Sequence, residues 1–234
     1  MHMNWKDFWG KFPNQFAKDE FIKQVGKTVQ GQPISSEQLN QLISEVVQKL
    51  NLEADDVVLD LCCGNGLITY AVAEKCQSIV GVDFSKPMIE IAREYHNRIN
   101  TEYLNMSVLD ITSENLPRPK PFTKIYMYEG LQYFQEVQLS HLMQTLLALS
   151  SERVIMLFAG VPDMDRIREF YDTPERQLEY EARKRQGTEA VGTWWKKSFI
   201  RQVCSDYGLQ CDFLSQHEFS HTAHYRFDVR IKRK

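Results

Sequence analysis

Between Val57 and Phe158, short apolar runs alternate with helix-patterned segments, and this alternation restricts the chain more than any other feature. Val57-Val58-Leu59-Asp60-Leu61 and Ser78-Ile79-Val80-Gly81-Val82-Asp83 read as strands, as do Glu102 to Met106, Phe122 to Tyr128 and Val154 to Phe158. These runs lack the polar alternation of a strand with one wet face, so they fit strands covered on both faces. Helices are expected around Ile68 to Lys75, Pro87 to Ile99 and His141 to Leu149, with Pro87 in a first turn. Strands alternating with helices predict an α/β fold with a doubly wound, mostly parallel sheet.

The flanks break this rhythm. Trp5, Phe8, Trp9, Phe12, Phe16 and Phe21 make the first stretch aromatic, and Phe12-Pro13 interrupts it. Asn14 is a cap for a helix running to about Val25, and Gly31-Gln32-Pro33 marks a loop. Ser35 and Gln38 have capping-box spacing ahead of a helix with Leu39, Leu42, Ile43, Val46, Val47 and Leu50 on its apolar face. The stretch from Pro162 to Val191 reads as largely helical and highly charged. A helix from Trp195 to Tyr207 stops at Gly208, and Leu209 to Leu214 with Tyr225 to Ile231 forms a C-terminal hairpin. The hairpin brings the sheet to seven strands. The chain thus divides into an N-terminal helical cap (1–50), a core (51–160), a helical insertion suited to a substrate lid (161–195), and a helix and hairpin completing the sheet (196–234).

Composition excludes several classes of function. The 234 residues are 43% hydrophobic, enough for one sizeable core. A net charge of −3 provides no global positive field, so a nucleic-acid partner is not expected. No apolar run approaches the ~20 residues of a membrane span, and the N-terminal stretch lacks a signal-type apolar core. A cytoplasmic protein is the expectation. The five cysteines form no CxxC pair and read as free thiols. His217, His221 and His224 read as polar residues of an exposed turn, and no metal site is expected.

The chemistry concentrates after the first strand. In Asp60-Leu61-Cys62-Cys63-Gly64-Asn65-Gly66-Leu67 a strand ends in a glycine turn that opens a helix. Glycine there permits close backbone approach to a ligand, at the carboxyl end of the sheet where open α/β folds bind. Asp83 ends the second strand, 17 positions after Gly66, where an acid can accept from a ribose diol. Asp110 follows the third strand, placed to accept from an exocyclic amine, with Ile111 available to flank a purine.

These residues resemble the class I S-adenosylmethionine (SAM)-dependent methyltransferases, specifically from about Leu50 to Phe134. The glycine turn looks like that family's first motif, and Gly81-Val82-Asp83-Phe84-Ser85-Lys86-Pro87-Met88 like its second. Leu109-Asp110-Ile111 resembles its adenine-contacting acid, and Tyr126 to Tyr133 the segment that closes the fourth strand beside the transferred methyl. The resemblance implies a Rossmann-like fold and SAM as cofactor. By the same resemblance, Asp60, Cys63, Gly64 and Gly66 line the methionine portion and Asp83 binds the ribose. Phe84 and Met88 pack on adenine, Asp110 and Ile111 hold its edge and face, and Tyr128 lies near the sulfonium. The family's first glycine is replaced here by Cys62, read as a small packed residue. Lys27-Thr28 is placed to face the cofactor, as N-terminal elements do in related small-molecule enzymes.

The expected reaction is methyl transfer to a small-molecule acceptor, foremost at oxygen, such as a sugar derivative or secondary metabolite. A hydroxyl acceptor needs a base; Glu129, just after the fourth strand, and His221 are the candidate catalytic residues, with Gln132 or Tyr133 to orient the acceptor. Trp9, Phe12, Phe16, Tyr171, Trp194 and Trp195 suit enclosure of a partly apolar molecule, or equally a homodimer contact. An NAD-dependent oxidoreductase and a catalytically silent SAM-binding scaffold are the alternatives. Cys62 and the residues around Asp83 count against the oxidoreductase.

Overall fold

A computed structural model describes residues 3–117 and 121–234. Its centre is a seven-stranded sheet. The strands are β1 (Val57–Leu61), β2 (Ser78–Asp83), β3 (Thr101–Asn105), β4 (Phe122–Tyr128), β5 (Ser150–Pro162), β6 (Leu209–Ser215) and β7 (Arg226–Arg233). Their spatial order is β3-β2-β1-β4-β5-β7-β6. The β1 to β5 pairings are parallel, whereas β7 runs antiparallel to both β5 and β6. The expected doubly wound, Rossmann-like sheet with a C-terminal antiparallel hairpin is therefore present.

Strand periodicity sorts the core into two layers. Leu59, Leu61, Ile125, Met127, Met156 and Phe158 face one side. There they meet α5 (Glu136–Leu149) through Leu142, Met143 and Leu146, and α7 (Lys197–Asp206) through Ile200 and Val203. Val58, Tyr126 and Leu157 face the other side, against Val46 and Leu50 of α2 (Ser36–Leu50) and Ile68 and Val72 of α3 (Leu67–Val72). Sheets covered on both faces need strands apolar at nearly every position, as observed in β1. Among the described residues, no helix is long and apolar enough to cross a membrane.

The N-terminal cap departs from expectation. Helix α1 spans Trp5–Lys11, capped by Asn4, whose Oδ1 accepts from Asp7 N at 3.1 Å. A 3-10 turn at Phe12–Gln15 follows, and Phe16 is extended. The single helix expected from Asn14 to Val25 is replaced by one turn, Phe21–Gln24. Side chains satisfy the backbone in its place: Glu20 accepts from Ala17 N, and Gln24 donates to Ala17 O. A two-residue ribbon, Thr28–Val29 with Gln32–Pro33, occupies the expected loop. Helix α4 (Lys86–Tyr95) stops at His96, short of the expected Ile99.

The insertion is helical as expected, with α6 (Pro174–Gln186) its main element. Its aromatics pack on one another: Tyr171, Tyr180, Val191 and Trp194 form a separate cluster with Tyr225. Trp195 is fully buried in the main core, its Nε1 donating to Leu131 O at 3.2 Å.

The turn after β1 carries three left-handed residues: Cys62 at φ 58°, Gly64 at 56° and Gly66 at 77°. Cys62 thus adopts a conformation that glycine takes freely, beyond the small-packed-residue reading. Such a conformation costs a non-glycine residue about 1–2 kcal/mol. Gly66 is constrained twice, because a Cβ there would meet Tyr103 Oη at 2.6 Å. Gly66→Ala is expected to destabilise the protein by about 2–4 kcal/mol, the left-handed strain plus overpacking. Urea unfolding measures this, and a loss below about 1 kcal/mol would show that Tyr103 moves aside freely.

Candidate functional site

A cavity of about 700 Å³, mouth included, opens at the carboxyl ends of β1, β2 and β4. This is the binding crevice of open α/β sheets. Its floor is the β1 turn: Cys62, Cys63, Gly64 and Asn65. Asp83, Phe84, Ser85 and Met88 form one wall, and Tyr128, Glu129 and Tyr133 another. Trp9, Val25 and Lys27 of the cap form the roof.

The roof is tied down at separate points. Ser85 Oγ donates to Trp9 O at 2.7 Å. The fully buried Asn65 donates from Nδ2 to Phe21 O and to Gln24 Oε1, both at 2.9 Å. Lys27 Nζ reaches Glu129 Oε2 at 2.9 Å and lies 4.1 Å from the centre of the Tyr128 ring. Val25 Cγ1 would lie 3.2 Å from a Cβ at Gly64, so the turn's missing side chain lets the roof close on it.

Asp83 is the best-organised polar group of the wall. Its Oδ2 accepts from Gly64 N at 3.0 Å and its Oδ1 from Ser85 N at 2.8 Å. Burial nonetheless lifts its carboxyl to about 6. Each oxygen keeps a further lone pair, which suits a vicinal diol. The Trp9 indole Nε1 in the roof is buried without a hydrogen-bond partner among the described residues, a donor that a bound polar ligand would satisfy. Phe84 and Met88 add apolar surface. A nucleoside carrying a polar tail therefore fits these residues.

Several residues expected here lie elsewhere. Asp60 is 2% exposed and outside the cavity wall. Its Oδ2 accepts from Thr69 Oγ1 at 2.5 Å and from Tyr126 Oη at 2.6 Å, so it braces β1 to α3 and β4. Gly66 is also outside the wall, pressed against Tyr103. Asp110 is exposed on a 3-10 turn, and Ile111 is 4% exposed in the main core; neither lines the cavity. No residue from 161 to 195 lines it either. Phe12 and Phe16 pack in an aromatic row with Phe8 and Trp9. Conversely, Cys63, Gly64, Asp83, Phe84, Met88 and Tyr128 are brought together as expected, and Lys27 does face the cavity.

Glu129 needs correction as a candidate base. Burial opposes its charge, but Lys27 and Arg226 outweigh burial and hold its carboxyl at about 2. An acid that weakly basic is a poor proton acceptor. His221 lines a second cavity that shares Lys27, Tyr128 and Glu129 with the first. Burial lowers its pKa, partly opposed by Glu129, which favours the neutral ring. Gln132 donates nothing to the cavity; its Oε1 accepts from the buried Arg226, which also binds Gly160 O. The Cys62 and Cys63 thiols are held well above the usual value by burial and by Asp60 and Asp83, so neither is a thiolate nucleophile. Among the described residues, no group of three or more His, Cys, Asp or Glu could hold a metal ion. His217 instead stacks on Phe219.

Residues 58–151 match the family model described as a methyltransferase domain. An uncharacterized methyltransferase of Schizosaccharomyces pombe is 42% identical over 53 residues, which are 23% of this chain and 20% of that protein. The chain thus aligns with only a fifth of that curated relative's length. Among solved structures, the DhpI–SAH complex superposes with a TM-score of 0.63 at 12% identity, covering 97% of this chain and 93% of that one. Magnesium protoporphyrin IX methyltransferase from Synechocystis gives 0.59 at 15% identity, covering 98% and 97%. At such identities these two likenesses concern the fold.

Asp60 gives the fold a pH dependence. Burial raises its carboxyl from 3.8 to about 7, against the opposing pull of the Thr69 and Tyr126 hydroxyls. An acid raised on folding binds its proton more tightly when folded. Its contribution is whole below about pH 4 and is lost as pH rises to about 7. Asp60→Asn keeps an acceptor and removes the buried charge. Its melting temperature relative to the parent is expected to rise by several °C between pH 5 and pH 8. Thermal unfolding across that range checks this, and a difference independent of pH would place the carboxylate in a polar setting.

Proposed function

We propose that this chain, which carries a methyltransferase domain over residues 58–151, is a SAM-dependent methyltransferase acting on an oxygen of a small-molecule acceptor. The observation that carries this reading is Asp83. It is held by two backbone N–H groups beside the Gly64 turn, with lone pairs to spare, in a cavity roofed by the unpartnered Trp9 indole. Bound SAM supplies a methyl already activated on a sulfonium, which leaves with the S–C electron pair retained on sulfur.

The residues of the chain hold, orient and shield. Asp83 accepts from the ribose hydroxyls, while Phe84 and Met88 cover the adenine. Cys63 and Gly64 face the methionine portion, Gly64 through its backbone. The Trp9 N–H donates to a polar atom of the ligand. Tyr128 and the Lys27–Glu129 pair line both this cavity and the adjoining one that holds His221. His221, which lines the adjoining cavity, takes the proton of an acceptor hydroxyl. His221→Ala is expected to lower kcat for a hydroxyl acceptor by roughly 10²-fold while leaving SAM affinity unchanged. Unchanged kcat would return the base to another group.

Thermal shift distinguishes cofactors. SAM or S-adenosylhomocysteine at a hundred times its Kd is expected to stabilise the protein by about 2.7 kcal/mol, and NAD to give no shift. Asp83→Ala should weaken S-adenosylhomocysteine at least about tenfold, the loss of a charge-assisted contact. A protein stabilised by NAD and indifferent to SAM would overturn the reading, and tight SAM binding without turnover on any acceptor would favour a silent scaffold.

A further inference from the structure

A groove of about 860 Å³, mouth included, lies on the helical insertion, between α6 and the short helix Ile167–Phe170 that leads into it. It shares no lining residue with the cofactor cavity. We infer that this groove is a docking surface for a second copy of the same chain, with the two α6 helices antiparallel across a two-fold axis near Leu178.

The spacing of the lining residues comes first. Pro174, Gln177, Leu178 and Glu181 line the groove at i, i+3, i+4 and i+7, which is one face of α6. Tyr180 is buried under that face, whereas Leu178 is 72% exposed. Leu178 is the one exposed large apolar side chain of the insertion among the described residues. Beneath it the floor is fixed. The Tyr171 and Tyr180 rings meet at 4.8 Å, Gln177 Nε2 donates to Tyr171 O at 3.0 Å, and the Tyr171 hydroxyl donates to Glu189. A surface ordered before it binds loses little further freedom on binding.

Charge identifies the occupant. Outside the groove, Asp172 pairs with Arg176 at 2.6 Å, and Glu179 pairs with Arg183. The two full charges that line the groove, Arg168 and Glu181, are exposed and form no ion pair among the described residues. They have opposite signs and flank Leu178 along the chain. Arg168 stands on the short helix before Pro174, and Glu181 stands about 4.5 Å beyond Leu178 along α6, at 1.5 Å per residue. A two-fold axis near Leu178 turns each Glu181 toward Arg168 of the second copy. The same axis brings the two Leu178 side chains together above the aromatic floors. An isologous contact requires this self-complementarity. A partner of one sign would leave the other charge unanswered.

The test is sedimentation velocity of the full chain from about 1 to about 200 µM, a span that covers micromolar dissociation constants. A monomer–dimer equilibrium is expected. Leu178→Asp should weaken it at least about tenfold, because the two-fold brings the new carboxylate in twice. Arg168→Glu and Glu181→Arg, each setting like charges opposite, should each weaken it about tenfold. The double variant carrying both changes restores the pairs with their signs exchanged and should regain most of the parent affinity. All three positions are exposed in the free chain, so the circular dichroism of every variant is expected to match the parent. A parent that stays monomeric would leave the groove to a different occupant and overturn the inference. A dimer indifferent to Leu178→Asp, or a double variant no tighter than the two single ones, would overturn it as well.

Discussion

The ion pair between Lys27 and Glu129 joins parts of the chain 102 residues apart and fixes the geometry around it. Lys27 is 6% exposed, so its ammonium has given up most of its hydration. Burial depresses its pKa, and the neighbouring carboxylate restores only part. Removing one partner of such a pair typically costs about 3–5 kcal/mol when both are fully buried. Glu129 keeps some solvent contact, which softens the figure here. The pair is better understood as a device of placement. It holds the cap over the sheet, pins Glu129 in a left-handed backbone at φ 52°, and lines both cavities.

That backbone has its own support. Glu129 N donates to Ala159 O at 2.8 Å, and a Cβ at Gly160 would meet Glu129 Cγ at 2.5 Å. Gly160 sits where the pairing of β5 with β7 slips out of register. The buried Arg226 uses that irregularity to reach Gly160 O, and its charge also stabilises the Glu129 carboxylate. The end of β4 is thus set by the hairpin side of the sheet as much as by its own sequence.

What could be read in advance follows from the range of the interactions. The strands, their parallel order and the turn after β1 were legible because apolar period and glycine placement act locally. Asp83, Gly64, Phe84, Met88 and Tyr128 were expected around one site from the resemblance of their motifs, and they line one cavity. Asp60 was not, because its role depends on Thr69 and on Tyr126, which only the fold brings to it. Asp110 and Ile111 follow β3 as expected, but the 3-10 turn exposes the first and buries the second. The insertion's aromatics carried no mark of whether they would face a ligand or one another, and they chose one another. The second cavity left a faint trace. Gln38, Gln41, Glu45 and Lys49 recur at helical spacing beside the apolar stripe of α2, a polar row that reads equally as a solvated face.

Asn65 has a consequence for motion. Its side chain binds the cap through Phe21 and Gln24, its carbonyl binds His96 Nδ1 at 2.7 Å, and His96 O accepts from Tyr103 Oη at 2.7 Å. Cap, glycine turn, the end of α4 and β3 are linked through one buried junction. Such a junction opens cooperatively, as a unit whose local unfolding free energy is shared among its members. The roof is therefore not a flap hinged over an independent floor: lifting it at Asn65 dismantles the floor as well, and ligand traffic is left to the mouth.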